Sequence, residues 1–480
     1  MPIVSAVVAM LVIASLGYLV RSVAFSTPLG MDDHWVYFLM LVYSLGIISI
    51  IYRAMREGAP LRAAVATPNA LFSIFFYVLF VGPYVAAISD FRGLEDNKFL
   101  VPSYLEWINP SLLITAYYYF SFAVGAWIGF GGRHESAGVN EGANQRLMDF
   151  DGKSCVNLRN ATTWLLLLTI VAVFGTDART LMSGEYTGLG AGSATADGIY
   201  YLATHFSMAV VALSFALPNS MFSNSMRFDW RNAIAVTWAL TLLVAGDRNN
   251  FLLIAAVMFS GLAVVDRKIS IPVLCISGAV ALGVYNLVEV ARSSGARTLS
   301  DLLLLAINFD FGNSSTIEDS SFGLTTITMR GATALSATDS SIAGGWYKLV
   351  GFLGVIPYSR GLLPVPVDGL YTSAQAVTRE ILGEDPSWSL GSNIIADMML
   401  DFGIAGGAIG LAAIGYLGSR LATAALSQRS TFGCALSVLI ASLWFELPRY
   451  SADFPVRSLA WFVVFGLIAF HFRGKDVRNS

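Results

Sequence analysis

Long stretches without a charged residue recur from one end of this chain to the other. Of its 480 residues, 55% are apolar and only 13% are charged, whereas about 25% are charged in an ordinary soluble domain. Many of the apolar stretches approach the length of about 17 to 25 residues that lets a helix cross a bilayer. A backbone surrounded by lipid must satisfy its hydrogen bonds internally, which only helices and closed barrels achieve. The sequence therefore predicts an all-α integral membrane protein.

We predict about twelve transmembrane helices. The first apolar run has no basic segment before it and no small-residue cleavage site, which indicates a retained helix and not a signal peptide. In the tenth run, four glycines form two overlapping GxxxG pairs and predict the close approach of a neighbouring helix: Gly403, Gly406, Gly407 and Gly410. The twelve runs are residues 3–20, 35–52, 70–89, 110–130, 162–176, 199–217, 233–246, 251–265, 269–290, 394–418, 431–445 and 458–472.

The distribution of basic residues predicts the orientation. If the N-terminus is cytoplasmic, the cytoplasmic connections carry more than twice as many lysines and arginines as the short outer connections. Because short cytoplasmic loops are enriched in these residues, both termini are expected in the cytoplasm. The chain then divides into nine membrane helices (1–290), a long periplasmic loop (291–391) and three further membrane helices (392–480). Two apolar patches of the loop, 299–309 and 342–356, are predicted to form short interfacial or re-entrant helices.

Charge and cysteine usage exclude several classes of function. The net charge is −3 and no basic tract is present, so no nucleic-acid partner is expected. The three cysteines, Cys155, Cys275 and Cys434, are scattered and form no CxxC pair. Neither a disulfide framework nor a zinc site is therefore indicated, and we expect no metal ion or other cofactor.

Arginines on the predicted outer side are the first candidates for a site. Arg248 lies in a tight turn between two spans, Arg292 and Arg297 follow the ninth span, and Arg330 and Arg360 lie in the long loop. A guanidinium group binds phosphate oxygens in a fork, so these residues suit the phosphate or pyrophosphate of a lipid-linked substrate. Alternatives remain open. Arg248 can belong to a polar hairpin turn and extend its side chain to the lipid headgroups, Arg292 can simply end a helix, and the loop arginines can pair with acids of the same loop.

Acidic residues at the predicted membrane boundary are the second set of candidates. Asp397 and Asp401 are four residues apart and share a helix face in the tenth run, and Glu289 closes the ninth. Ionisable side chains in an apolar span are functional candidates by default. A carboxylate there could take a proton from a sugar hydroxyl. Alternatively, these carboxylates are simply solvated by water at the membrane interface.

The sequence resembles a family of membrane enzymes over residues 238–418. The resemblance lies in the turn Gly246-Asp247-Arg248, the loop opened by Arg292 and Arg297, the stretch Gly354-Val355-Ile356-Pro357, and above all the segment from Gly391-Ser392-Asn393 through Asp397 and Asp401 to Gly406. These features are similar to those of the Wzy-type O-antigen, or oligosaccharide repeat-unit, polymerases. The N-terminal half matches only in its pattern of spans.

The resemblance implies a fold similar to that of the C-type glycosyltransferases, in a bacterial inner membrane. It implies a metal-independent, inverting transfer between undecaprenyl-pyrophosphate-linked oligosaccharides on the periplasmic face, with a polysaccharide chain-length regulator as a further partner. Arg248, Arg292 and Arg297 would then hold the donor pyrophosphate. The remaining roles would fall to Asp397 or Glu289, which would orient or deprotonate the acceptor, and to Arg330, Arg360 and Asn393, which would contact sugar or phosphate.

Three other functions remain open. O-antigen ligases share these motifs but carry a histidine near the segment after Asn393, and this chain has none there. Asp32 and Asp33, in the first outer loop, resemble the acidic pair of a class of metal-dependent, lipid-dependent glycosyltransferases. A transporter of lipid-linked oligosaccharides would have charged groups near the bilayer midplane, whereas most charges here lie at the predicted outer rim.

Overall fold

A computed structural model describes residues 2–28, 30–89, 102–130, 141–183, 194–217, 229–244, 248–264, 323–338, 343–356, 372–384, 389–426 and 431–478, with isolated residues at 270–283 and 370. Every regular element in these ranges is helical. The α-helices are α1 (Pro2–Ala24), α2 (Asp33–Arg56), α3 (Leu61–Val65), α4 (Pro68–Phe76), α5 (Gly82–Ile88), α6 (Ile108–Gly129), α7 (Glu141–Ser183), α8 (Ala194–Ala216), α9 (Trp230–Val244), α10 (Arg248–Val264), α11 (Gly323–Ala337), α12 (Trp346–Leu353), α13 (Ser373–Leu382), α14 (Ile394–Leu426), α15 (Thr431–Glu446) and α16 (Phe454–Arg478).

Eight of the described segments are long and apolar enough to cross a membrane, which confirms an all-α membrane protein. Two shorter apolar segments, Asn249–Ala263 and Phe454–Leu467, lie in α10 and α16. The eight are Val7–Ala24, Asp33–Arg56, Pro68–Ile88, Tyr104–Gly129, Gly152–Gly175, Ile199–Ala216, Ile394–Thr423 and Thr431–Arg449. The count of twelve stays a prediction, because most of the predicted ninth span (269–290) lies outside the described residues.

The long loop is described in three helical pieces. The predicted patch 342–356 contains α12, whose eight residues are too few to cross a bilayer. The helices α11 and α13 lie on either side of it in the sequence. The patch 299–309 lies outside the described residues, and the periplasmic location of the loop stays a prediction.

The chain forms two compact units, each assembled from separate segments. The first contains Met1–Arg133, Ile317–Arg420 and Leu443–Arg457, and the second contains His134–Thr316, Leu421–Ser442 and Ser458–Ser480. The linear division at residues 290 and 391 concerned membrane topology and stays a prediction.

Helix α6 is the buried centre of the first unit. It packs against α1 and α2, and glycines allow the closest approaches. Gly125 and Gly129 lie directly against the backbone of Ala412 and Tyr416 in α14, where a Cβ atom would collide with a carbonyl oxygen. Small residues at such contacts let membrane helices gain van der Waals attraction. The first unit thus holds α6 and α14 backbone to backbone.

The second unit is built around α8. This helix packs against α7, α9 and α10, and most of its side chains between Ala203 and Leu213 are buried. Tyr200 of α8 contacts Trp238 of α9, with ring centroids 5.6 Å apart. These contacts cover the apolar surface that α8 would otherwise expose.

Candidate functional site

The tenth predicted span is interrupted at Gly403. This residue has φ 71° and ψ 176°, a backbone conformation open essentially to glycine alone. Beyond it the chain turns back: a Cβ on Gly407 would lie 2.7 Å from the carbonyl oxygen of Met398, and Gly410 faces the Met398 side chain. Residues nine apart in a continuous helix are about 13 Å apart. Residues 394–402 therefore form a short half-helix that folds back on the longer part, residues 404–426.

The fold supplies new partners for the backbone groups that this break leaves unpaired. The Leu400 carbonyl accepts a hydrogen bond from the Ala343 amide (2.9 Å), and the Asp401 carbonyl accepts one from the Gly345 amide (3.1 Å). The Tyr118 hydroxyl of α6 donates to the Gly403 carbonyl at 3.2 Å. Irregular backbone at membrane depth requires such replacement bonds, so the break is a built feature of the fold.

Asp401 fixes the helix that follows these amides. Its carboxylate accepts hydrogen bonds from the backbone N–H groups of Lys348 (2.8 Å) and Tyr347 (3.3 Å), at the start of α12. A carboxylate at a helix N-terminus satisfies free amides and interacts favourably with the helix dipole. The side chain is fully buried. Asp401 therefore acts as a structural link between the half-helix and α12.

Asp397, one turn earlier on the half-helix, forms a buried ion pair with Lys348. The Lys348 ammonium lies 2.6 Å from Asp397 Oδ1, which also accepts a hydrogen bond from the Ser373 hydroxyl at 2.5 Å. The Ala452 amide donates to Oδ2 at 2.8 Å. Lys348 Nζ also lies 3.5 Å from Asp453, whose side chain is about one-quarter exposed. Four segments of the first unit thus meet at one carboxylate.

The hydrogen bonds of Asp397 suit a positioning role. Both of its oxygens are occupied by donors from the protein, and the residue has no exposed surface. A general base must lie within hydrogen-bond reach of the proton that it removes. The observed geometry favours Asp397 as the residue that holds the half-helix in place.

Asn393 caps the half-helix. Its side-chain oxygen accepts hydrogen bonds from the amides of Ile395 (3.1 Å) and Ala396 (2.8 Å), as an N-cap asparagine does. Its side-chain nitrogen donates to the carbonyl of Thr325 in α11 at 3.3 Å. Asn393 is fully buried. The residue predicted to contact sugar or phosphate thus joins the half-helix to α11.

Arg330 of α11 is a buried cation. Only 1% of its surface is exposed. Its Nη2 donates to the Thr326 hydroxyl at 3.3 Å, while its Nε and Nη1 atoms are buried and have no hydrogen-bond partner among the residues that the structure describes. Within the described part of the chain, no carboxylate pairs with it. A buried charge left without an opposite charge is strongly unfavourable, so this guanidinium group is suited to receive an anion.

Of the other predicted site residues, the structure describes only the backbone of Arg248. Arg248 begins α10, in the second unit, and its side chain is not described. Arg292, Arg297, Arg360 and Glu289 lie outside the described residues. The structure therefore brings Asn393, Asp397 and the helix of Arg330 together in the first unit. The gathering of Arg248, Arg292 and Arg297 around one anion stays a prediction.

Sequence analysis missed Lys348, Ser373 and Asp453. A signal for Lys348 was present, because it is the single charged residue in the apolar patch 342–356. An ionisable group in such a run is a functional candidate. Ser373 and Asp453 lie 24 and 56 residues from Asp397 in the sequence, and no local pattern links them to it.

The first-loop acids have structural contacts of their own. Asp32 accepts a hydrogen bond from the His34 amide at 2.9 Å, caps α2 and pairs with the His34 ring at 2.6 Å. The amide bond is the main reason that the pKa of the Asp32 carboxyl lies below its usual value. Among the described residues, no group of three or more histidine, cysteine or acidic residues could hold a metal ion. The observed contacts favour helix capping for Asp32.

Comparison with known protein families, with curated proteins and with solved structures finds no match for this chain. Any function assigned to it therefore depends on the chemistry of its own residues.

Proposed function

We propose that this chain is a membrane glycosyltransferase that polymerises undecaprenyl-pyrophosphate-linked oligosaccharide repeat units on the outer face of the bacterial inner membrane. The observation that carries the proposal is the buried guanidinium group of Arg330, two of whose nitrogens have no hydrogen-bond partner among the described residues. The resemblance of residues 238–418 to repeat-unit polymerases supplies the class of substrate. Arg330 itself belongs to that segment.

Arg330 would bind a phosphate of the donor lipid. Its Nε and Nη1 atoms have no hydrogen-bond partner among the described residues, and each could donate a charge-assisted hydrogen bond to a phosphate oxygen. A substrate anion would also neutralise the buried charge. The binding of the pyrophosphate by Arg248, Arg292 and Arg297 stays an expectation from the resemblance. In this proposal guanidinium groups, and not a metal ion, neutralise the leaving group.

The reaction is a displacement at a sugar carbon. A hydroxyl oxygen at the non-reducing end of the acceptor unit attacks the anomeric carbon of the donor sugar. The bond between that carbon and the pyrophosphate oxygen breaks, and its electron pair leaves with the pyrophosphate. The hydroxyl proton passes to a base, for which Glu289 is the candidate. Donors placed at developing negative charge contribute about 10² to 10³ each in rate.

The half-helix would provide a rigid wall for this site. The Lys348–Asp397 ion pair joins it to α12, and Asn393 joins it to α11, the helix that carries Arg330. Catalytic groups must be held within about 0.5 Å of their productive positions. Asp397 therefore enters the proposal as a positioning residue.

The direct test deletes the chromosomal gene in the native host and expresses the wild type or a variant from a plasmid. The glycans of each strain are then separated on a gel. Wild-type protein gives a ladder of polymer lengths. Arg330→Gln, at equal membrane abundance, is expected to give single repeat units, and Arg330→Lys is expected to give a weak ladder because lysine lacks the planar fork. The matched control is Arg379→Gln, which removes an arginine that already pairs with Glu384 at 2.6 Å; it keeps the full ladder.

Two outcomes would contradict the proposal. A full ladder from Arg330→Gln would show that this guanidinium group binds no essential anion. A ladder that forms normally but stays attached to the lipid carrier in the deletion strain would indicate a ligase, because a ligase acts after polymerisation.

A transporter for lipid-linked oligosaccharides is the second candidate function, and one observation favours it. A broken helix with buried ionised groups, as at Gly403, Asp397 and Lys348, is a common feature of transporter binding sites. Deletion of a transporter would leave single lipid-linked units in the cytoplasmic leaflet. Deletion of a polymerase would leave them in the outer leaflet, where a membrane-impermeant glycosidase can reach them.

A further inference from the structure

Helix α12 exposes an apolar face although its other side is fixed to the first unit. Lys348 and Val350 are buried, whereas Leu349, Phe352 and Ile356 are 47%, 47% and 60% exposed. The three exposed residues follow one another at intervals of three and four residues, so they share one side of the helix and of the turn after it. A short helix with such a face is typical of one that lies in the membrane interface.

The apolar face continues at the N-terminal end of α12. Gly345 precedes this helix and lies one turn before Leu349, and a Cβ atom on Gly345 would lie 3.1 Å from the Phe402 ring. Phe402 is 41% exposed. It ends the half-helix, which the carboxylate of Asp401 joins to the first amides of α12. Four exposed apolar side chains thus form what we call the α12 surface: Phe402, Leu349, Phe352 and Ile356.

A cation lies at the opposite end of this surface. Arg457 of α16 donates a hydrogen bond from Nη2 to the carbonyl of Gly354, the residue that follows α12, at 2.7 Å. Arg457 is exposed. Among the described residues, its side chain makes no further hydrogen bond and no ion pair. A guanidinium group has several N–H donors, so the bond to Gly354 leaves others for an anion.

Aromatic side chains indicate the level of Arg457 in the membrane. Tyr450 stacks on Phe454, with ring centroids 4.3 Å apart, and Phe454 lies one turn before Arg457 on α16. Tyrosine is enriched at the level of the lipid headgroups. We therefore expect the first turn of α16 at that level, where Arg457 can reach the phosphate of a lipid.

We propose that Arg457 and the α12 surface bind one anionic phospholipid of the surrounding bilayer. The lipid phosphate accepts charge-assisted hydrogen bonds from the Arg457 guanidinium group, and the acyl chains contact Leu349 and Phe352. An anionic headgroup is favoured over a zwitterionic one because a basic residue near the membrane surface attracts net negative charge. The site is independent of the proposed enzymatic function, since it contains none of the residues assigned to catalysis.

One carboxylate near the site opposes the binding of an anion. Asp453 lies one turn before Arg457 and is about one-quarter exposed, and its carboxylate is 3.5 Å from Lys348 Nζ. Although the structure describes both side chains, no ion pair joins Asp453 to Arg457. Charges this close along one helix lie within a Debye length of each other. Removal of the Asp453 charge should therefore strengthen the binding of an anionic lipid.

The first unit contains a matched control for Arg457. Arg379 of α13 is also exposed, to 39%, but it pairs with the Glu384 carboxylate at 2.6 Å. The two arginines thus differ in whether a described carboxylate already neutralises the guanidinium group.

The test is native mass spectrometry of the detergent-purified full chain, titrated with dioleoyl-phosphatidylglycerol or with dioleoyl-phosphatidylcholine. The wild type is expected to bind the first phosphatidylglycerol at least about fivefold more tightly than phosphatidylcholine. Arg457→Gln can still donate to the Gly354 carbonyl and is expected to weaken phosphatidylglycerol binding about fivefold, the effect of one basic residue near a membrane surface. Arg457→Lys is expected to keep most of the preference, and Arg379→Gln all of it.

Two further variants separate the headgroup from the acyl chains. Asp453→Asn keeps the size of the side chain and is expected to bind phosphatidylglycerol several-fold more tightly, with no change for phosphatidylcholine. Phe352→Ser is expected to weaken both lipids by a similar factor, because they carry the same acyl chains.

Several results would overturn the proposal. These are equal binding of the two lipids by the wild type, equal effects of Arg457→Gln and Arg379→Gln, or no gain with Asp453→Asn. Displacement of the lipid by millimolar inorganic phosphate would indicate a simple anion site. Tighter binding of undecaprenyl phosphate than of phosphatidylglycerol, lost in Arg457→Gln, would assign the surface to the carrier lipid instead.

Discussion

Single charged side chains determine how the first unit is held together. Asp397, Asp401 and Lys348 are buried, and each forms specific contacts with groups far away in the sequence. Arg330 is as deeply buried, but two of its guanidinium nitrogens have no partner in the described part of the chain. A buried ion pair adds little net stability, whereas breaking one is strongly unfavourable. The first three residues thus specify structure, and Arg330 is the one that we propose to bind a ligand.

The Lys348–Asp397 pair is predicted to respond differently to single and double substitution. Lys348→Met leaves the Asp397 carboxylate buried without its cation and is expected to lower the free energy of unfolding by about 3 to 5 kcal/mol. Lys348→Met combined with Asp397→Leu removes both charges and should recover much of that loss. Thermal unfolding of the purified variants measures both effects.

The exposed pair Arg379–Glu384 provides the control for this experiment. Its side chains are 39% and 75% exposed, so Arg379→Gln is expected to change stability by less than about 1 kcal/mol. A double variant that is no more stable than Lys348→Met would contradict the role given to the ion pair.

The arginines predicted from the sequence remain to be tested in cells. Arg248→Ala or Arg292→Ala, at normal protein levels, is expected to replace the polymer ladder with single repeat units, because each would remove one donor from the pyrophosphate site. Glycan gels of cells that express each variant provide the readout. Full ladders from both variants would remove these two residues from the site.

The sequence predicted charged residues at single positions better than it predicted their roles. Asp397 was selected because an ionisable group in an apolar run stands out. Arg330 was selected as an arginine of the predicted outer loop, and Asn393 through the resemblance. Their partners could not be derived, since Ser373 and Ala452 are brought to Asp397 only by tertiary folding. The bond from Asn393 to Thr325 and the full burial of Arg330 likewise depend on α11, which the sequence did not predict as a helix.

At the level of helices, the break in α14 is the feature that most affects the proposed site. The tenth run was predicted as one continuous span, because hydropathy averaged over about 20 residues does not register a single glycine. The structure divides it at Gly403. The predicted GxxxG pairs do permit close packing, with Gly407 against Tyr118 of α6 and against Met398. The glycines therefore serve the fold-back of the helix as well as its contact with a neighbour.

A pair of glycine substitutions tests the break. Gly403→Ala is expected to lower the free energy of unfolding by about 1 to 3 kcal/mol, because alanine is strained at a positive φ with extended ψ. Gly175→Ala, in the exposed part of α7, is expected to be neutral or to raise it by up to about 1 kcal/mol, because alanine favours helix and nothing lies within 4 Å of its Cβ position. Equal effects in thermal unfolding would indicate a regular helix at Gly403.

On the scale of the whole molecule, the sequence predicts the class of fold because lipid limits the choice. Eight described helices are long and apolar enough to span a membrane, and every described element is helical. The predicted seventh and eighth spans correspond to α9 and α10, helices of 15 and 17 residues. The assembly of each unit from separate segments could not be read from hydropathy, because a run of apolar residues carries no information about which helix it contacts.

The predicted orientation has a direct test. Alkaline phosphatase inserted in the loop 291–391 is expected to be active, because that enzyme matures only outside the cytoplasm, and green fluorescent protein joined after Ser480 is expected to fluoresce, because it matures inside. The basis is the excess of lysine and arginine in the predicted cytoplasmic connections. An inactive phosphatase in the loop would reverse the orientation and place Arg330 on the wrong side for the proposed reaction.

The most direct test of the account is a structure of the protein bound to an undecaprenyl-pyrophosphate-linked oligosaccharide. We predict phosphate oxygens within hydrogen-bond distance, about 3 Å, of the Arg330 atoms Nε or Nη1, which have no hydrogen-bond partner among the described residues. A pyrophosphate bound elsewhere, with the Arg330 guanidinium group still unpaired or paired with a carboxylate of the protein, would contradict the proposed donor site.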